Sequence, residues 1–291
     1  MLVGEAYLHG ADSDTAYNIK SVSKSILSAL TGIALREGFV KGLEQPIFEF
    51  FPEYFEPPPE HEGWTKIRAE TDSFKRRVTL RHLLDHTSGY AWKENELILT
   101  AWIWSSDYVR FFLELPFVDE PDRKFIYNTA GTHALSALLG RTSGMTTLEF
   151  ADRYLFAPTG MEVHRWDRSP EGNYIGGAEM HFTARHLARF ALLYLNGGRW
   201  DGKQVLPEEW VKESTAEHVK ADYGVSADQS VPESGAWSFL KDGNFTGYGY
   251  LWWRRDSQEH ETFVALGYGG QFILIIPDLE LAIVATSRIS G

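Results

Sequence analysis

The 291-residue chain has no cysteine. That absence excludes thiolate nucleophiles, thiolate-bound zinc, iron–sulfur clusters and disulfide bridges together. It leaves the compartment open, because a chain without thiols works on either side of a membrane. Long apolar runs are missing too, and none approaches the ~18 residues of a membrane-spanning helix. Positive charge is scarce: 28 Lys and Arg face 40 Asp and Glu, for a formal net charge of -12. Such a surface argues against nucleic-acid partners, whose binding rests on neutralising phosphates, and against docking on anionic lipid. The opening MLVGEAYLHGADSD lacks a basic stretch and a small-residue cleavage site, so no signal peptide is expected. As it stands the chain reads as cytoplasmic; it reads as extracytoplasmic if a leader was removed upstream. What is plentiful is core material, with 43% hydrophobic and 14% aromatic residues.

The pattern of that material predicts an α+β fold in a single domain spanning residues 1–291. Residues 2–9 are apolar enough for a short strand. Residues 21–37 give the clearest helix, with Val22, Ile26, Ala29, Leu30 and Ile33 at helical spacing and Gly38 to stop it. Its other positions are small, so it should be buried on several sides. Further helices are expected over 79–85, 130–140 and 183–196, and loops at Pro57-Pro58-Pro59 and over 220–245. Four β-branched and aromatic runs follow at 248–255, 261–268, 271–277 and 281–287, separated by hairpin-length connections. The expected architecture is one antiparallel sheet made from both chain ends, 1–20 and 246–291, with a helical lobe, 21–245, inserted between them.

Ser-x-x-Lys at a helix start places a hydroxyl and an amine on one face, since i and i+3 are neighbours. The helix N-terminus adds a positive dipole end where an oxyanion can form. Ser21-Val22-Ser23-Lys24 has this arrangement at the head of the predicted helix. The bland alternative is a helix N-cap serine with a surface lysine. A second match, Ser238-Phe239-Leu240-Lys241, opens no amphipathic helix. His82 and His86 stand four apart, but no Glu follows the first; His181 and His186 have no third partner, so no metal site is expected. There is no Gly-x-Ser-x-Gly elbow and no phosphate-binding loop. Among the tryptophans, Trp92 and Trp252 are the better candidates for a substrate-pocket wall, ahead of Trp253.

Residues 21–40 (SVSKSILSALTGIALREGFV) resemble the nucleophile helix of the serine β-lactamase-like hydrolases. That family includes class C β-lactamases, D-Ala-D-Ala carboxypeptidases, esterases and 6-aminohexanoate-dimer hydrolases. Residues 78–92 (VTLRHLLDHTSGYAW), 124–139 (KFIYNTAGTHALSALL), 176–210, 248–253 and 265–277 (ALGYGGQFILIIP) resemble later family segments in the same order. The resemblance implies Ser21 as the acylated nucleophile, Lys24 as its neighbour and Tyr127 as a phenol exchanging protons with both; whether Lys24 or Tyr127 is the base stays open. It implies no metal and no organic cofactor. Asn128 and Thr129 complete the second motif, where the family commonly has Tyr-x-Asn. Tyr268, Gly269 and Gly270 align with the third, where many relatives have Lys-Thr-Gly or His-x-Gly; the chain therefore lacks that cation. Tyr268, Gly270 or Gln271 would supply the second oxyanion N–H.

Three readings follow: a hydrolase of small esters or amides, a β-lactamase or D-Ala-D-Ala carboxypeptidase, or a non-catalytic binding protein with the same pocket. The family's flanking terminal helices have no counterpart in the sequence. The resemblance thus implies either a chain shortened relative to its relatives or an apolar sheet face over 271–287 buried against a second copy.

Overall fold

The computed structural model describes residues 2–55, 74–94, 96–221, 245–256 and 259–288. At its centre lies helix α1, Val22–Arg36, in which every residue from Val22 to Ala34 is buried. The apolar stripe of Val22, Ile26, Ala29, Leu30 and Ile33 explains one side of that burial. The small residues explain the rest, since they let neighbouring backbones approach on the remaining faces. At Gly32 a methyl group would stand 2.2 Å from Trp210 Cγ. The helix ends in paired bonds from Gly38 N to Leu35 O and from Phe39 N to Ala34 O. This closure needs Gly38 in the left-handed region, and its φ is 76°.

Around α1 pack helices α2 (Leu80–Leu84), α3 (Leu97–Ile103), α4 (Tyr108–Glu114), α5 (Thr129–Ser143), α6 (Thr147–Ala151), α7 (Ala184–Leu195) and α8 (Glu208–Thr215). Among the described residues, no helix is long and apolar enough to cross a membrane.

The main sheet is antiparallel, in the order β11-β10-β9-β8-β7-β6. Its strands are β6 (Val219–Lys220), β7 (Phe245–Tyr248), β8 (Trp253–Asp256), β9 (Glu261–Gly267), β10 (Gln271–Ile276) and β11 (Leu281–Ala285). Along β10, Gln271, Ile273 and Ile275 are buried while Phe272, Leu274 and Ile276 are half-buried, the period-2 signature of a pleated strand. Helix α7 covers β10 and β11 on one side.

The α+β class and its antiparallel sheet follow the sequence reading, but the contribution of the N-terminus does not. Residues 2–9 carry no strand, and Leu2, Val3 and Leu8 are exposed. A short apolar run becomes a strand only where a sheet edge offers hydrogen bonds; this one is tied down instead by Glu5, paired with Arg185 on α7. The first strand is β1 (Ala16–Asn18), and it pairs with β3 (Met180–Thr183), which also pairs with β2 (Arg165–Trp166) in a separate small sheet; β4 (Arg199–Trp200) and β5 (Lys203–Gln204) pair as a short hairpin.

The run 248–255 also divides in two. Tyr248 and Trp253 pair across a tight turn in which Gly249 N donates to Trp252 O and Leu251 takes a φ of 63°. That turn is driven into the core: Ser25 Oγ on α1 donates to Leu251 O at 2.7 Å, and Leu251 N donates to Leu84 O. The loop expected at Pro57-Pro58-Pro59, and residues 222–244 of the other expected loop, lie outside the described residues.

Candidate active site

Ser21 is the N-cap residue of α1, but its hydroxyl caps nothing. Its oxygen instead receives Lys24 Nζ at 3.0 Å. The alternative of a capping serine beside a surface lysine therefore does not describe this pair, since Lys24 is only 1% exposed. The approach to Ser21 is clamped. Lys20, with a φ of 50°, and Glu179, with a φ of 64°, both occupy the left-handed region. Lys20 N donates to Asn18 Oδ1, while Glu179 accepts Asn18 Nδ2 at 2.6 Å and Lys20 Nζ at 3.1 Å. These bonds offset the cost of two non-glycine residues in that region.

Lys24 Nζ has three acceptors: Ser21 Oγ, Thr129 Oγ1 at 2.8 Å and Gly177 O at 3.0 Å. An ammonium has three N–H bonds, so the charged form is fully satisfied. Burial nevertheless disfavours that charge and brings the lysine down to about 8, while the Glu94 carboxylate works in the opposite direction. Glu94 is itself held by Trp92 Nε1 at 2.7 Å and by the backbone N–H of Thr129 at 2.6 Å, on the same oxygen. It thus sits at the N-terminus of α5, where the helix dipole favours an anion.

Tyr127 is 4% exposed, and Lys24 Nζ lies 4.8 Å from its ring centroid. The ring is stacked on Trp253 and packed against His86. His86 is buried, and desolvation, with Lys24 as a second cause, pushes its pKa well down; it stands here as a neutral ring. Its φ of 59° is stabilised from behind, where Asp85 Oδ1 accepts both the N–H and the hydroxyl of Thr87.

The remaining expected site residues separate into two groups. Thr129 and Trp92 join the network around Lys24. The third-motif turn, Tyr268-Gly269-Gly270, lies beside the approach to Ser21, since a Cβ on Gly267 would stand 2.4 Å from Ile19 O. Gly269 and Gly270 have φ values of 84° and 85°, which explains two glycines in a three-residue hairpin turn; Tyr268 is exposed.

Trp252, by contrast, is 0% exposed and packs against Phe190, Tyr194 and Phe263 on the α7 side of the sheet. Successive residues face opposite sides, so it is the neighbouring Trp253 that meets Tyr127. The side chain of Gln271 is likewise withdrawn, bonded to the N–H, carbonyl and hydroxyl of Ser287. Asn128 caps α5 by accepting Gly131 N at 2.8 Å. His82 closes the cap of α2 with Thr79, whose N–H it accepts. His181 lies on β3 and His186 in the first turn of α7. Ser238 and Lys241 lie outside the described residues.

Two contributors were missed by sequence reasoning. Glu94 had no motif to mark it. Gly177 acts through its backbone; its only signal was the Gly176-Gly177 pair, and its φ of 84° brings its Cα against the lysine stem.

Comparison with known proteins adds the lineage. The profile of the Beta-lactamase family matches residues 3–291. The chain is 23% identical over 297 residues to a 6-aminohexanoate-dimer hydrolase of Paenarthrobacter ureafaciens, covering 98% of this chain and 69% of that one. Among solved structures it resembles a penicillin-binding protein from Bacillus halodurans, with a TM-score of 0.67, 17% identity and coverage of 96% and 84%. It also resembles EstCE1, a hydrolase with promiscuous acyltransferase activity, with a TM-score of 0.68, 15% identity and coverage of 94% and 80%.

Proposed function

From the premise that this chain belongs to the Beta-lactamase family, we propose that it is a serine hydrolase cleaving small neutral esters or amides through an acyl-enzyme on Ser21. The observation that carries the reading is the Ser21 hydroxyl, which leaves the helix cap unmade and pairs with a buried lysine. With Lys24 near 8, about a tenth of it is the free amine at pH 7. That amine takes the Ser21 proton as Oγ attacks the substrate carbonyl, and the proton passes to the departing alkoxide or amine. Water then attacks the acyl group, its proton returns through the same groups, and Ser21 is restored. The phenol of Tyr127, within the same aromatic pocket, is the second candidate for the shuttle. The N-terminus of α1 and the backbone of the 268–270 turn are the candidates for holding the oxyanion.

The charge around the site supports a neutral substrate. Tyr268-Gly269-Gly270 carries no cation, and Glu94 adds a carboxylate beside Thr129. Losing a charge-assisted bond to a substrate carboxylate removes about half of its ~1.5–3 kcal/mol. The chain should therefore turn over p-nitrophenyl butyrate about fourfold to twelvefold better than nitrocefin in kcat/KM. More efficient turnover of nitrocefin would replace this reading with that of a β-lactamase. No turnover of either, with no adduct on Ser21, would leave a binding protein.

The lysine also sets an expected pH dependence. For the ester, kcat/KM should rise with pH and level off above about 8, as Lys24 loses its proton. The groups facing its amine are Ser21, Thr129, Gly177, Tyr127, the neutral His86 and the charged Glu94. Glu94→Gln removes the one that favours the ammonium, so the rising limb should move towards acid. A limb that stays in place or moves towards base would show that Lys24 is not the group titrating.

A further inference from the structure

His133 lies one turn after Thr129 on α5, on the same face of the helix, with none of its surface exposed. Both ring nitrogens are engaged. Nδ1 is 3.3 Å from the backbone nitrogen of Gly176, and Nε2 is 3.0 Å from Glu171 Oε1. A peptide N–H can only donate, so Nδ1 must be bare and the proton sits on Nε2, donated to the carboxylate. Burial raises the Glu171 carboxyl, but the hydrogen bonds from His133 and from the backbone at Glu171 and Tyr108 together pull it the other way and hold the group at about 2, a full carboxylate. Trp102 and Tyr108 close over the imidazole.

Gly176 is pressed directly onto α5, where a Cβ would stand 2.3 Å from Thr132 O and 2.8 Å from His133 Cα. The next residue is Gly177, whose carbonyl receives Lys24 Nζ at 3.0 Å. We propose that His133 is a positioning residue for Lys24: by accepting the Gly176 N–H it fixes the Gly177 carbonyl that orients the amine towards Ser21. The inference rests on the reading of Ser21 and Lys24 given above. Its chemical basis is the geometry of a neutral amine, which has two N–H bonds and one lone pair. A carbonyl can only accept, so Gly177 O always takes an N–H, and the lone pair is left to face a hydroxyl. If the carbonyl drifts, the amine turns and the lone pair no longer meets the Ser21 proton. A displacement of this kind lowers turnover without weakening substrate binding.

The test separates the two sides of the imidazole in the full chain. His133→Asn places an amide oxygen near the position of Nδ1 and can still accept the Gly176 N–H, but it falls short of Glu171. His133→Gln reaches Glu171 but presents no acceptor at the Nδ1 position. With a p-nitrophenyl ester, Gln should lower kcat about tenfold, leave KM within about twofold and displace the limb of the pH profile assigned to Lys24. Asn should restore kcat to within about threefold of the parent even though both variants melt earlier. Equal kcat in Asn and Gln, a loss confined to KM, or a kcat that simply tracks Tm would overturn the proposal. If neither variant folds, nitrogen NMR of selectively labelled histidine in the parent decides: the proton of His133 should be on Nε2, and finding it on Nδ1 would overturn the proposal as well. Intact mass after fluorophosphonate treatment of the parent tests the underlying reading separately. An unlabelled Ser21 removes that reading and this inference together, whereas a labelled Ser21 with indistinguishable variants removes this inference alone.

Discussion

Ser21→Ala is expected to abolish covalent labelling by a fluorophosphonate and to lower ester kcat at least about a thousandfold, while the protein still folds. The scale follows from removing the atom that forms the acyl bond: without it only binding and oxyanion contacts remain, and these give a small residue of activity. The fold should survive because Ser21 is partly exposed and its side chain supports no helix cap. Ser238→Ala, which removes the serine of the second Ser-x-x-Lys match, should leave labelling and turnover unchanged. Intact mass locates the adduct, and circular dichroism checks the fold. Labelling that persists in Ser21→Ala would end the assignment.

Lys24→Met should separate activity from stability. The loss of a general base costs about 10²–10⁴ in rate, so kcat/KM should fall about a thousandfold. Stability should hardly change. The folded chain gives up the Lys24 proton near pH 8 rather than 10.5, so stability rises as pH climbs between those values. At neutral pH the buried ammonium therefore costs about 3 kcal/mol, which an apolar methionine avoids. Against that gain, Gly177 O loses its donor, at about 1–3 kcal/mol. The two effects offset one another, and Tm should stay within a few degrees. Activity within tenfold of the parent would rule out Lys24 as the base and leave Tyr127 as the group to test.

Much of this architecture could be read from the residues alone because periodicity reports on burial. The stripe through α1 marked that helix to within a residue or two, the helix expected over 183–196 is α7 to the same margin, and the β-branched runs marked β9, β10 and β11. What failed was whatever depends on a partner distant in sequence. Residues 2–9 look like a strand, but the edge that would complete one is not beside them. The run 248–255 looks continuous until Ser25 and Leu84 claim the peptide at Leu251 and force it into a turn. Trp252 and Trp253 are alike in composition, and only the pleat decides which one reaches Tyr127. In the site, Ser21 and Lys24 were legible because they stand three positions apart on one helix. Glu94 and Gly177 were not, because one contributes a carboxylate from a loop and the other a backbone carbonyl, and neither leaves a spacing to recognise.

The near-complete burial of α1 also constrains how this sequence can change over generations. Gly32 fits only because the Trp210 ring lies against its bare Cα; any side chain there collides with the indole. Trp210 is on α8, far from residue 32 in sequence. A lineage that enlarges residue 32 must therefore shrink residue 210 in the same step or pass through a destabilised intermediate, and the same reasoning applies to Gly176 where it meets the backbone of α5. In the second case no compensating substitution exists, because the two closest obstructing atoms, Thr132 O and His133 Cα, are main chain. Across descendants of this protein, position 32 should drift only in concert with position 210, while position 176 should not drift at all.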